Sequence, residues 1–223
     1  MHLLLLAFLA FQDDPNAKVK EVLKSECALD FKDKKVSEML QQLSEVQGIA
    51  FIADPRSVPA PDKLVCKGAK EGKLEEVLKE LIAPHKLAFV AWEGAVIIAT
   101  PAAAKEFESG KVPIIGAKER TQKDAPAWKK AVYELLEKPV SIDPKATIRF
   151  GKQFKTTFAW CFTGIAETTG LKIVVDGTAK GACDADCNTQ ITSATAAVAI
   201  AILCRQSGCA AVIEDPKTVR IKK

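Results

Sequence analysis

The seven cysteines are the residues of this chain best suited to covalent, redox or metal chemistry. Cys183 and Cys187 enclose only Asp-Ala-Asp and are candidates for a disulfide that closes a small loop. Two other interpretations are a thiolate and carboxylate metal site, for which two further ligands are missing, and a redox pair, for which the CxxC spacing is missing. Two free thiols are the remaining interpretation.

The other cysteines offer further pairings. Cys161 and Cys204 fall on the apolar stripes of two predicted helices, so they are either small core residues or the halves of a cross-helix bridge. Cys204 has a rival partner in Cys209. Cys27 and Cys66 lie in or beside two predicted strands and can bridge only if those strands are neighbours. An odd number of cysteines leaves at least one unpaired within the chain, and some disulfides fit an exported protein.

The chain offers little else for catalysis. His85 is the only histidine beyond the first twelve residues, and it follows Pro84 at the end of a predicted helix, where a surface or C-cap role is expected. No Ser/His/Asp or Cys/His arrangement can be built around it, and no glycine-rich phosphate loop is present. We therefore expect no enzymatic activity, no cofactor and no metal.

Composition and charge narrow the class of protein. The chain has 223 residues, of which 48% are hydrophobic and 27% are charged, as in ordinary folded proteins. A net charge of +4 is too small to indicate a nucleic-acid binder. Residues 1–12 read MHLLLLAFLAFQ, which is too short to span a bilayer and is typical of a secretory signal peptide. We expect a periplasmic or secreted protein that contacts membranes only through a partner.

The periodicity of apolar residues predicts an α+β module between residues 17 and 100. Helices are expected at 17–25, 35–47 and 74–82. Strands are expected at 28–32, 48–54 and 64–67, followed by a hairpin formed by 87–92 and 95–99. Gly48 follows the last apolar position of the second helix, where a left-handed residue ends a helix at little steric cost.

A weaker copy of this module fills residues 128–223, beyond a predicted linker at 101–127. At an offset of 122 residues, Gly48 matches Gly170 and Asp54 matches Asp176. An insertion near Pro144 is predicted to form a hairpin between 140–142 and 147–150. The predicted fold is therefore α+β, with two tandem βαββαββ modules that each pack two helices on a mixed sheet.

The segments LDFKDKKVSEMLQQLSEVQGIAFIAD and KLEEVLKELIAPHKLAFVAWEGAVIIAT carry a resemblance to a known family. Their order of strand, helix ending at glycine, apolar strand ending at aspartate, loop, second helix and final hairpin resembles the secretin and TonB short N-terminal (STN) domain. The second copy resembles it more weakly, because Ala196 and Ala199 replace large apolar residues.

The resemblance implies a periplasmic module that binds other proteins of the cell envelope, associated with secretion or outer-membrane transport. The sequence shows neither a secretin barrel nor a TonB-dependent transporter after the second copy, so we expect fold, compartment and protein binding to carry over rather than one pathway. The expected contact surfaces are sheet edges and the exposed side of the linker. The features that differ between the copies are the surface, the Cys183 and Cys187 loop and the insertion near Pro144, so function specific to this chain is expected there.

Overall fold

The structure, a computed structural model, describes residues 14–115, 127–144, 148–149, 152–153 and 156–223. The predicted signal peptide at 1–12 and residues 116–126 of the predicted linker lie outside these ranges. So do Lys145, Ala146, Thr147 and Phe150 of the predicted insertion. The described residues form an α+β fold, which confirms the predicted class.

Eight helices and twelve strands are present in the described ranges. The first half contains α1 Ala17–Lys24, β1 Glu26–Asp30, α2 Val36–Gln47, β2 Ala50–Ala53, β3 Ala69–Lys73, α3 Leu74–Ile82, β4 Ala88–Trp92, β5 Ala95–Ala99 and α4 Pro101–Glu108. The second half contains α5 Ala127–Leu136, β6 Pro139–Ile142, β7 Ile148–Arg149, β8 Lys152–Gln153, α6 Phe158–Thr169, β9 Lys172–Val175, α7 Lys180–Cys183, β10 Ile191–Thr195, α8 Ala196–Ser207, β11 Ala210–Ile213 and β12 Thr218–Lys222.

Both halves pair their strands in the same way. In the first half β1 pairs with β3, and a three-stranded sheet has the order β2-β5-β4 with β2 and β5 parallel. In the second half β6 pairs with β10, and the three-stranded sheet has the order β9-β12-β11 with β9 and β12 parallel. Helices α2 and α6 both end at a left-handed glycine, Gly48 with φ 62° and Gly170 with φ 80°. The predicted helix end at Gly48 is therefore confirmed.

Three predicted elements differ from the structure. The strand predicted at 64–67 is wrong: Val65 forms only an isolated antiparallel bridge with Lys35 at the start of α2, and the strand that pairs with β1 is β3. Strand β6 pairs with β10, and the described residues Ile148 and Arg149 of the predicted hairpin pair with Gln153 and Lys152. The predicted linker contains α4, in which Pro101 occupies the first turn and Thr100 accepts a hydrogen bond from Ala103 N.

One of the two apolar clusters in the described residues spans both halves. One face of the first sheet, including Phe51 and Ile98, packs with the helices α1, α2 and α3. The opposite face, including Ile97, belongs to the same apolar cluster as α4 and the buried residues of the second half. Helix α8 begins beside Ala95, and Arg205 near its end bonds to the first half. Helix α8 thus lies between the two three-stranded sheets, and the halves form one body.

Helix α8 explains why the second copy looks degenerate. Its residues from Ala196 to Cys204 are all buried, whereas the corresponding helix α3 buries only one stripe. A helix covered on all sides needs apolar residues around its whole circumference. The alanines at 196 and 199 are buried at 0% exposure, where larger side chains would hold the neighbouring elements apart.

The outer faces of the two sheets differ as this stacking requires. The central row of the first sheet, covered by the second half, is Ile52, Ile97 and Val90. The corresponding row of the second sheet is Val174, Arg220 and Val212. Val212 is exposed, and Arg220 forms ion pairs with Glu214 and Asp176. The second sheet therefore has a charged and partly exposed central residue where the first sheet has a buried isoleucine.

Candidate functional site: a cleft between the two halves

A cleft of about 620 Å³ lies where the two halves meet, and we call it the inter-half cleft. The first half contributes the beginning of α2, the end of β2 and the loop at residues 55–63. The second half contributes the loop at residues 186–192 together with Pro144, Thr156 and Gln206. The cleft is therefore lined by the loop that contains Cys187 and by Pro144, which precedes the predicted insertion. Its volume is within the range of small-ligand and peptide-side-chain sites.

Neutral polar side chains connect the walls of the cleft. Gln190 Nε2 of the second half donates a hydrogen bond to Gln41 Oε1 of the first half at 2.8 Å. Thr189 Oγ1 donates to Gln206 Oε1. Gln41 Nε2 donates in turn to Glu45 Oε1 at 3.0 Å. These bonds hold amide and hydroxyl groups at the cleft with fixed orientations, which is what recognition of a peptide backbone requires.

The cleft also has an apolar wall. Leu40, Phe51 and Val58 are buried at its lining, so an apolar side chain of a ligand would find contacts there. Ser37 adds a polar atom: its hydroxyl is buried and has no hydrogen-bond partner in the described part of the chain. Because buried polar atoms are paired in most proteins, this hydroxyl is an unusual enclosed polar group beside the cleft.

The rim of the cleft is stiff and carries few charges. Pro55, Pro59 and Pro61 line the first-half side, and proline restricts the backbone there. Exposed Asp62 and Lys63 follow on the same loop, and they carry opposite charges. Exposed Asp186 lines the second-half side, so the charged residues at the cleft carry a small net negative charge.

The cysteines at this cleft do not pair as expected. Among the described residues no disulfide is formed, and all seven cysteines are free. The Cys161 thiol donates a hydrogen bond to Cys187, which lowers the pKa of Cys187 and raises that of Cys161. Cys183 bonds instead with Cys209, while burial raises the pKa of Cys183 to about 12. The predicted Cys183–Cys187 bridge is not formed in this structure, in which the two thiols have different neighbours.

The other predicted bridges do not form either. The Cys27 thiol donates to Gly72 O at 3.4 Å, and the Cys66 sulfur lies 3.5 Å from Met39 Sδ. Cys27 and Cys66 therefore point to different neighbours. Cys161 faces Cys187 rather than Cys204, and Cys204 is a buried core residue whose pKa burial raises to about 12. The core interpretation of Cys204 thus fits its surroundings.

The two matched aspartates have diverged. Asp54 is fully buried and accepts hydrogen bonds from Arg205 Nε at 2.9 Å and from Ser57 Oγ at 2.8 Å. Asp176 lies at the surface, where hydrogen bonds from the Thr178 backbone and hydroxyl lower its pKa. The shared position is therefore an interface anchor in the first half and a local turn former in the second.

Sequence reasoning missed the residues that join the halves. Arg205 contacts Asp54 and also donates to Glu106 Oε2 at 2.8 Å, yet nothing in the sequence connects positions so far apart. The same is true of Gln41 and Gln190. The sequence of β5 does indicate that both faces of the first sheet are covered. Its residues AVIIA are apolar at every position, whereas TVRIK of β12 alternates between apolar and polar residues.

His85 lies where the sequence predicts it, at a helix end. Its Nε2 donates to Val65 O at 3.1 Å, which gives the side chain a structural contact. Within the described ranges, no group of three or more His, Cys, Asp or Glu residues is arranged to hold a metal ion.

Comparison of the chain with protein-family models, curated proteins and solved structures gives no match. The resemblance to the STN domain therefore stays a prediction from the sequence. In the described part of the chain, no helix has both the length and the apolar character needed to cross a membrane.

Proposed function

We propose that this chain is an exported, non-enzymatic protein of the STN type that binds an extended segment of a cell-envelope protein in the inter-half cleft. The observation that carries the proposal is the lining of the cleft, in which both halves place neutral hydrogen-bonding side chains beside an apolar wall. A peptide offers the matching chemistry, because its backbone has alternating donors and acceptors and its side chains can fill an apolar recess.

The rigid junction supports the same proposal. Both walls are fixed before binding by the buried Asp54–Arg205 pair and the Gln41–Gln190 hydrogen bond. A preformed site loses less conformational entropy when it binds than a site that must first be ordered. A periplasmic or secreted location, the STN fold type and a partner in secretion or outer-membrane transport machinery belong to the proposal on the strength of the sequence resemblance.

Asn188 offers a direct test, because its side chain is exposed and lines the cleft. Peptides selected from a random displayed library against the full chain are expected to lose roughly tenfold or more in affinity for Asn188→Trp, which is about 1.4 kcal/mol or more. The indole would fill the cleft without disturbing the core. Titration calorimetry with one selected peptide measures the loss.

Asp184 provides the matched control, since it is exposed on the same loop but does not line the cleft. Asp184→Trp is expected to leave peptide affinity unchanged. In cells, a photoreactive side chain at position 188 should cross-link one envelope protein that the same group at position 184 does not capture. Peptides that bind Asn188→Trp as well as the parent chain would refute binding in the cleft.

A thiol-redox protein is the alternative, now favoured by the Cys161–Cys187 contact rather than by Cys183 and Cys187. A lowered pKa of Cys187 suits thiol exchange, but exchange also needs an accessible sulfur, and both residues are 1% exposed. We therefore rank it second. A folded chain that reduces a small aromatic disulfide far faster than its Cys187→Ser variant would reverse this order.

A further inference from the structure

The loop that ends at Cys187 is fastened to the beginning of α6. Thr157 and Asp186 form an antiparallel bridge, Cys187 N donates to Thr156 O at 2.7 Å, and Phe158 N donates to Ala185 O at 3.2 Å. These backbone contacts fix the position of the residue that follows Asp186. They do so independently of any sulfur chemistry.

Cys161 lies one helical turn beyond this bridge. Its N–H donates to Thr157 O at 3.1 Å, so residues 157 and 161 share a face of α6. Because Thr157 pairs with Asp186, this face is turned toward Cys187. Both thiols are buried and hydrogen-bonded to each other.

We propose that the oxidised chain carries a Cys161–Cys187 disulfide and that Cys27 and Cys66 stay as thiols. Two S–H bonds break and one S–S bond forms. The two electrons and two protons pass to an oxidant of the disulfide class, such as glutathione disulfide or an oxidoreductase, which is reduced to two thiols. The bond attaches one wall of the inter-half cleft to α6, whatever the cleft binds.

Burial of both sulfurs makes this bond structural. A disulfide whose sulfurs are out of reach of attacking thiolates is not exchanged in the folded chain. Cys27 and Cys66 have no facing thiol at such a contact in the described ranges, because they bond to Gly72 O and Met39 Sδ.

Peptide mapping tests the pairing. The full chain is denatured, reduced, refolded in a glutathione redox buffer, alkylated and digested with trypsin together with a protease that cleaves before aspartate. Cleavage before Asp184 and Asp186 separates Cys183 from Cys187, which trypsin leaves on one peptide with Cys204. We expect peptide 156–172 joined to 186–205 through Cys187, and alkylated thiols at Cys27 and Cys66.

Other outcomes overturn the proposal. A bond from Cys161 or Cys187 to any other cysteine, any bond to Cys27 or Cys66, or seven alkylated thiols in the refolded chain would each contradict it. Tandem mass spectra distinguish Cys187 from Cys204 within the peptide that contains both.

Thermal unfolding tests the effect of the bond. The oxidised parent chain is expected to melt on the order of 5–10 °C above the Cys161→Ser/Cys187→Ser variant, because the cross-link restricts the unfolded chain. The difference should shrink strongly when both are reduced, and Cys27→Ser should show no such redox-dependent shift. An equal difference in both redox states would assign the effect to packing and contradict the cross-link. If the double variant does not fold, the peptide map alone decides.

Discussion

Replacing Ile97 by arginine is expected to unfold the chain or to separate its halves. Ile97 is fully buried at the centre of the first sheet, between Ile52 and Val90, and it faces the second half. An arginine there would bury an unpaired charge in a closely packed core, and such changes cost more than about 4 kcal/mol. Chemical denaturation followed by circular dichroism measures the loss.

The repeat supplies the control at the matched position. Arg220→Ile makes the second sheet resemble the first, but on a face where Arg220 is partly exposed and only surface ion pairs are lost. Its midpoint of unfolding should stay close to that of the parent chain. If Ile97→Arg does not fold, Ile97→Ala provides a graded measurement, with an expected loss of about 2–5 kcal/mol. Equal midpoints for the Ile97 and Arg220 variants would contradict the stacking of the halves.

The sequence alone predicts those helices and strands whose positions follow from the spacing of apolar residues. Helices α2 and α3, the β4–β5 hairpin and the glycine at the end of α2 follow from apolar spacing and from the conformational freedom of glycine. Apolar spacing does not predict the stacking of the halves, although a signal of it is present in the sequence. When the copies are aligned, the alanines of α8 look like core residues that have been lost. Their small side chains instead fit a helix that is covered on every side.

The sequence predicts which regions of the chain form the site, but it does not predict which residues contact each other there. The features that differ between the copies do identify the loop near Cys187 and the insertion near Pro144, and both Cys187 and Pro144 line the cleft. The pairing of the cysteines does not follow from the sequence, because the spacing of Cys183 and Cys187 says nothing about the backbone bonds that turn Cys187 toward α6. Similarly, Gln41 and Gln190 meet only because the halves stack.

Replacing Arg205 by alanine is the second change with a large expected effect. The guanidinium bonds both oxygens of Asp54, at 2.9 and 3.3 Å, and one oxygen of Glu106, and it lies 4.9 Å above the ring of Phe107. The Asp54 side chain is 0% exposed and that of Arg205 is 11% exposed. Removing the arginine leaves a buried carboxylate without its counter-charge, so we expect a loss of about 3–5 kcal/mol in the free energy of unfolding.

A double-mutant cycle separates the ion pair from simple packing. Asp54→Ala alone should cost less than Arg205→Ala, because Glu106 still neutralises the arginine. Combining both changes should cost less than the sum of the single changes, because neither charge is then left alone in the interior. Additive losses would mean that the two side chains do not act as a pair. Arg220→Ala at the surface should barely move the midpoint, so the contrast between the two arginines measures what burial at the junction adds to an ion pair.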